Sequence, residues 1–254
     1  MDVTKLSESE RLQEAHYGRI VDRFEVHATD PCTQVYRQRF IDEPITEGID
    51  LRGLSVLEAM CGHGGETSFL LQRGATVTGL DISAAALDRF TQRWPQCESM
   101  CDSILSGSVP DESFDCVVAV GGLHHMHPNV SQAVGEIHRI LKPGGHFCFS
   151  DPHAASMFDV FRRLWYRLDD LFEENEAGVD VDELISEYAD RFEFVMTRYV
   201  GSVAYLLVLN SLAFRMPYFL KRLYSPAVMA LEATLNRVTG RRTALYVVAQ
   251  WKKR

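Results

Sequence analysis

Between Ser55 and Asp81 the spacing of apolar positions changes period twice within one short stretch. Ser55 to Met60 is an apolar run of strand character that ends in Cys61-Gly62-His63-Gly64-Gly65. From Glu66 to Arg73 the apolar residues Phe69, Leu70 and Leu71 fall at helical spacing. Gly74 stops that helix, and Ala75 to Leu80 alternates into a second strand tipped by Asp81. Strand, glycine loop, helix, strand and acid make one nucleotide-binding half of a doubly wound α/β sheet. The glycines let backbone N–H groups at a helix N-terminus approach a ligand. Asp81 falls where, roughly 20 residues past the loop, a carboxylate meets a ribose diol.

The same pattern orders the rest of the chain. Residues 5 to 28 predict a charged amphipathic helix with Leu6, Leu12, Ile20, Val21 and Phe24 as its apolar positions, and Asp30-Pro31 starts a second helix to about Glu43. Ser83 caps a helix to about Trp94, Glu98 to Cys101 is a weak third strand, and Phe114 to Val120 is a β-branched fourth. A helix over 129–141 follows, then a turn at Pro143-Gly144-Gly145 and a fifth strand from His146 to Ser150. Met157 to Phe172 is amphipathic and helical, Glu173 to Glu187 is acidic, and Arg191 to Val200 alternates as a sixth strand. Residues 201–238 predict two or more apolar helices broken at Pro217 and at Ser225-Pro226, before a last strand from Ala244 to Trp251.

Composition narrows the class. The 254 residues are 46% hydrophobic, enough for a substantial core. A net charge of −9 and no long Lys/Arg run leave no footprint for nucleic acid. Six cysteines without a C-x-x-C pair suit reduced thiols in a cytoplasmic protein rather than a disulfide frame or zinc site. The polar first eleven residues are not a secretory signal, and no apolar run is long enough to span a bilayer. A dinucleotide loop asks for a third glycine where Thr67 stands, which weakens a pyrophosphate reading.

Val56-Leu57-Glu58-Ala59-Met60-Cys61-Gly62-His63-Gly64 resembles the first motif of class I S-adenosylmethionine-dependent methyltransferases, and Val77 to Ser83 resembles their second. Ser113 to Val118, Leu123-His124-His125-Met126 and His138 to Gly145 follow in the family's order, so the resemblance covers roughly residues 15 to 151, in the branch that methylates small molecules and quinones. It implies a mostly parallel seven-stranded sheet with a helical cap. It also implies a division into an N-terminal cover (1–48), a cofactor-binding core (49–152), a cap segment (153–190) and the last two strands with a helical insertion (191–254), all in one compact unit. The cofactor implied is S-adenosylmethionine, leaving as S-adenosylhomocysteine. The residues implied to hold it are Tyr17, Glu58, Met60, Cys61, Gly62, Gly64, Asp81, Ile82, Asp102, Ser103 and Gly121. Met60 replaces the first glycine of the family's usual loop.

Methyl transfer from a sulfonium needs an aligned acceptor, excluded water and sometimes a base. His124, His125 and His153 follow the carboxyl ends of the fourth and fifth strands, where ligands of open α/β sheets bind, and His125 is the favoured base. The same histidines lack the spacing of a zinc site, so no metal is expected. The acceptor is expected to be small and apolar or lipid-like, methylated on O, N or C. An NAD(P)-dependent oxidoreductase and a non-catalytic S-adenosylmethionine-binding protein are the rivals. Tyr205, Leu206, Leu207, Leu209, Leu212, Phe214, Met216, Tyr218, Phe219 and Leu220 are too many apolar groups for one exposed helix face. Core packing, an acceptor cavity and a homodimer interface are their three destinations.

Overall fold

The computed structural model describes residues 10, 11, 14, 29–154, 156, 157, 177–210 and 216–254. The expected helix over 5–28, including Tyr17, and the helix over 157–172 therefore lie almost wholly outside the described residues.

Seven strands form one sheet in the order β3-β2-β1-β4-β5-β7-β6. β1 (Ser55–Ala59), β2 (Thr76–Asp81), β3 (Glu98–Cys101), β4 (Phe114–Val120) and β5 (Leu141–Pro152) pair in parallel. β7 (Tyr246–Lys253) runs antiparallel between β5 and β6 (Phe192–Val200). The chain moves outward from β1 to β3 and then returns to β4. That reversal opens a crevice at the carboxyl ends of β1 and β4.

Strand alternation divides the core. Leu57, Ala59, Val117, Ala119, Phe147 and Phe149 join one buried cluster, packed under Ala133, Val134, Ile137 and Ile140 of α4 (Val130–Ile140). Trp251 sits in that cluster, edge-on to Phe149 at 5.0 Å and to Phe194 at 4.9 Å. Val56, Cys116, Val118 and Cys148 face the other way, toward Tyr36, Phe40 and Ile41 near the N-terminus. Those three belong to a continuous helical stretch that begins with α1 (Pro31–Arg37). It passes through a π-helical turn (Gln38–Asp42) and ends at Glu43–Ile45. Asp30 starts it by accepting the Cys32 and Thr33 N–H groups at 2.9 and 3.1 Å. The remaining helices are α2 (Thr67–Gln72), α3 (Ala84–Arg93), α5 (Val181–Glu187) and α6 (Tyr218–Leu235).

Two expectations change. The turn expected at Pro143-Gly144-Gly145 does not precede the fifth strand but lies inside it, as an irregularity of β5. Leu141 pairs with Phe114, and the register resumes with His146 opposite Cys116. The break expected at Ser225-Pro226 does not occur, because α6 runs through Pro226. Proline removes one backbone bond there, while the turns on either side are anchored elsewhere. Lys221 Nζ lies 2.5 Å from both Asp30 Oδ2 and Thr33 Oγ1. Glu232 accepts Ser202 N–H and Ala204 N–H at 2.9 Å each, the Ser202 hydroxyl at 2.5 Å and the Tyr36 hydroxyl at 3.2 Å. Buried polar groups with full sets of partners hold this helix to α1.

The segment from Gly201 to Leu245 leaves β6 at Val200 and re-enters β7 at Tyr246, residues that face each other across the sheet. Tyr246 also pairs with Pro152 at the carboxyl end of β5. The insertion therefore stands at the same edge as the crevice.

Candidate functional site

The loop after β1 turns on three left-handed residues, Met60 (φ 55), Gly62 (φ 53) and Gly64 (φ 85). Glycine takes that conformation freely; methionine does so at a cost of roughly 1–2 kcal/mol. The Met60 side chain is accommodated by Gly122, where an added Cβ would stand 2.8 Å from Met60 Cβ and 2.9 Å from its Sδ. Gly64 is equally constrained, since a Cβ there would meet Trp94 Nε1 at 2.5 Å. The Trp94 indole N–H is buried with no hydrogen-bond partner among the described residues. A tightly turned glycine cradle beside an orphaned donor fits a ligand carrying acceptor atoms.

Asp81 ends β2 beside this loop. Its Oδ2 accepts Gly62 N–H and its Oδ1 accepts Ser83 N–H, both at 2.8 Å. Burial raises its pKa, and the backbone donors oppose that rise. Asp102 continues the same row, its N–H donating to the Asp81 carbonyl at 3.1 Å.

Other residues expected at the cofactor have partners within the protein. Glu58 is buried beneath the loop, accepting Glu66 N–H at 3.1 Å and the Thr67 hydroxyl at 2.5 Å. Glu66 in turn is ion-paired with Arg37. Burial, and then the charge of Glu66, push Glu58 up to about 8, and burial takes Asp42 to about 7. Glu58 braces the start of α2 from behind. Cys61 packs against Leu87 and Phe90 in a small core of its own. The Ser103 hydroxyl pairs with Glu10 and caps the turn Ile104–Ser106. Ile82 offers its carbonyl to the Cys101 thiol at 3.8 Å. Gly121, with φ 67, closes the turn after β4, its N–H donating to the Ser150 carbonyl at 2.7 Å.

The histidines separate in the same way. The turn Leu123–Met126 follows β4 and holds the His124 and His125 rings 3.9 Å apart. Asp151, fully enclosed at the end of β5, accepts His124 N–H at 3.0 Å through Oδ1, and the same oxygen lies 2.8 Å from His124 Nδ1. Asp151 Oδ2 is buried without a partner among the described residues. Burial raises this carboxyl to about 7 against the pull of the His124 backbone N–H. His153 is fully buried, its ring 4.8 Å from that of Tyr199. The structure thus joins His124 to Asp151, a residue that sequence reasoning did not single out, and sets His153 apart. Asp151 carries the same signal as Asp81, an acid at a strand's carboxyl end. Among the described residues, no three His, Cys, Asp or Glu side chains converge as a metal set.

A seven-stranded sheet in this order, with a glycine loop after β1 and an acid ending β2, is the architecture of the Rossmann-like class I methyltransferases. Residues 57–149 match the family model described as "Methyltransferase domain". The uncharacterized methyltransferase sll0829 of Synechocystis sp. is 37% identical over 165 residues, 63% of this chain and 76% of that protein. A fatty-acid O-methyltransferase of Mycolicibacterium smegmatis is 34% identical over 118 residues, 44% of this chain but only 41% of the relative's length. Among solved structures, the N-methyltransferase NodS of Bradyrhizobium japonicum, in complex with S-adenosylhomocysteine, superposes with a TM-score of 0.55 at 16% identity, covering 91% of this chain and 97% of that one. The chain belongs to the class I S-adenosylmethionine-dependent methyltransferases. Its cofactor is S-adenosylmethionine, and the oxidoreductase alternative is not favoured.

Proposed function

We propose that this cytoplasmic enzyme methylates an oxygen atom, hydroxyl or carboxyl, of a small long-chain molecule of the lipid class. The observation that carries the reading is the His124–Asp151 pair at the carboxyl ends of β4 and β5. The enclosed carboxyl meets His124 at its backbone N–H and at Nδ1, which fixes the ring, and proton transfer would then run through Nε2. S-adenosylmethionine, when bound, supplies an electrophilic methyl group on a sulfonium. Gly62 and Gly64 would carry its methionine end, Asp81 its ribose hydroxyls and Asp102 its adenine side. With a hydroxyl acceptor, His124 would take the proton as the new O–CH₃ bond forms and the sulfonium's S–CH₃ bond breaks; a carboxyl acceptor reacts as the carboxylate and gives up no proton. His125, its ring 3.9 Å from that of His124, would wall the acceptor. A lipid-class acceptor is supported by the fatty-acid O-methyltransferase relative. The free cysteines suit the cytoplasm.

The experiment is transfer from S-adenosyl[methyl-³H]methionine to a panel of long-chain alcohols, long-chain acids, short amines and a quinol. Label in the alcohol, falling roughly 10²–10⁴-fold in His124→Ala, or in the acid, with a smaller loss because no proton is removed, is the expected result. Label confined to amines or the quinol, or unchanged turnover of the alcohol in His124→Ala, overturns the reading.

A further inference from the structure

The insertion between β6 and β7 was expected to bury its apolar residues, and half of α6 does the opposite. Its inward face buries Lys221, Ser225 and Glu232 beside the apolar Met229, and Lys221 and Glu232 reach the start and the Tyr36 hydroxyl of α1. Its outward face carries Phe219 at 66% exposure and Leu223 at 72%, with Leu220 and Leu231 beside them at 40% and 47%. Pro226, Ala227 and Ala230 are also exposed on the turns between. The acceptor-cavity expectation for Phe219 is therefore not met. Instead the helix shows solvent a contiguous apolar stripe of more than three turns, the kind of surface that marks an interaction site.

Charge says what the stripe fits. Between Gly201 and Leu245 the chain has six basic residues and one acid, in a protein whose net charge is −9. That acid, Glu232, is buried, and so is Lys221. The exposed charged groups of the insertion, among the described residues, are Arg222, Arg237, Arg241 and Arg242, with Arg241 paired to Asp182. Arg222 lies within the stripe, and Arg237 follows the helix end beside Val238, itself 81% exposed. An apolar helix face bordered by arginines is the pattern of a helix lying in a membrane interface, and arginines near an anionic surface each add to its attraction. No helix among the described residues is long and apolar enough to cross a membrane, so the helix would lie on the surface. A second copy docking by two-fold symmetry would set this basic face against itself.

We propose that the outward face of α6 docks this enzyme on an anionic lipid bilayer, with Phe219 and Leu223 entering the headgroup boundary and Arg222 and Arg237 facing lipid phosphates. The proposal stands apart from the reading of the acceptor, since docking is measured without turnover.

The test is flotation of the full chain with vesicles of phosphatidylcholine alone or mixed with phosphatidylglycerol, at low and moderate salt. The wild type is expected to float with the anionic vesicles and to be released by salt. Two independent double variants, Phe219→Ser with Leu223→Ser and Arg222→Glu with Arg237→Glu, are each expected to weaken flotation at least tenfold. Both should keep the wild-type melting temperature and S-adenosylhomocysteine affinity, because the altered side chains are exposed. Three results overturn the proposal. They are no flotation with anionic vesicles, flotation untouched by either pair, and a wild-type dimer in light scattering that the Phe219/Leu223 pair dissolves into monomers.

Discussion

Replacing Asp151 by asparagine isolates the enclosed carboxyl on which the His124 arrangement depends. In the folded protein burial lifts that group to about 7 from an ordinary 3.8. Because its folded pKa is raised, the folded state holds its proton to higher pH than the unfolded chain does. The resulting stability is fully present below about pH 4 and is lost as pH rises through about 7. Three units correspond to roughly 4 kcal/mol in all, more than half of which disappears between pH 5 and pH 8. Asparagine keeps an acceptor for the His124 N–H and does not titrate. Urea unfolding of both proteins at pH 5, 6, 7 and 8 should therefore show the wild type losing roughly 2–3 kcal/mol more than Asp151→Asn across that range, at equal m-values. Glu58 and Asp42 are also raised by burial, to about 8 and about 7, but they are present in both proteins and cancel in the difference. Parallel stability profiles for the two proteins would show that Asp151 is not held in a low-dielectric site, and the argument for a fixed His124 would fall with it.

Other consequences can be read in the same way. Glu232→Ala strands the Ser202 and Ala204 N–H groups that it accepts, and should cost about 3–5 kcal/mol in denaturant unfolding. A loss under about 1 kcal/mol would mean that water already serves them. Gly122→Ala places a Cβ 2.8 Å from Met60 Cβ, so it should destabilise the wild type by at least about 1 kcal/mol more than it destabilises a Met60→Gly background. Additive effects of the two substitutions would refute the packing argument.

The β1–loop–α2–β2 unit was legible because its period changes are abrupt and its glycines sit where the backbone turns left-handed. What sequence could not show was where each polar group's bonds would go. Glu58 has the place of an acid expected at the ligand, yet the Glu66 N–H and the Thr67 hydroxyl bond its oxygens, a choice visible only once α2 folds back over β1. Asp151 lies 27 positions from His124, and only the parallel pairing of β4 with β5 brings their ends together. In α6, Pro226 reads as a stop, and the apolar residues read as groups bound for a core, an acceptor cavity or an interface. The buried polar seam at Lys221 and Glu232 bears on both readings. It anchors the helix across the proline and commits the polar side inward, which turns Phe219 and Leu223 to solvent. The irregularity of β5 at Pro143-Gly144-Gly145 was hidden because glycine and proline mark turns and strand irregularities alike.

The placement of the cofactor is tested most directly by calorimetric titration of S-adenosylhomocysteine into the wild type and Asp81→Ala, with NAD as a second ligand. Asp81 is expected to give the ribose a charge-assisted contact worth about 1.5–3 kcal/mol, so the variant should bind ten- to a hundredfold more weakly while the wild type ignores NAD. Thermal unfolding of the variant checks that the loop survives loss of the Gly62 and Ser83 contacts. Equal affinity in the two proteins, or heat from NAD and none from S-adenosylhomocysteine, would contradict the account.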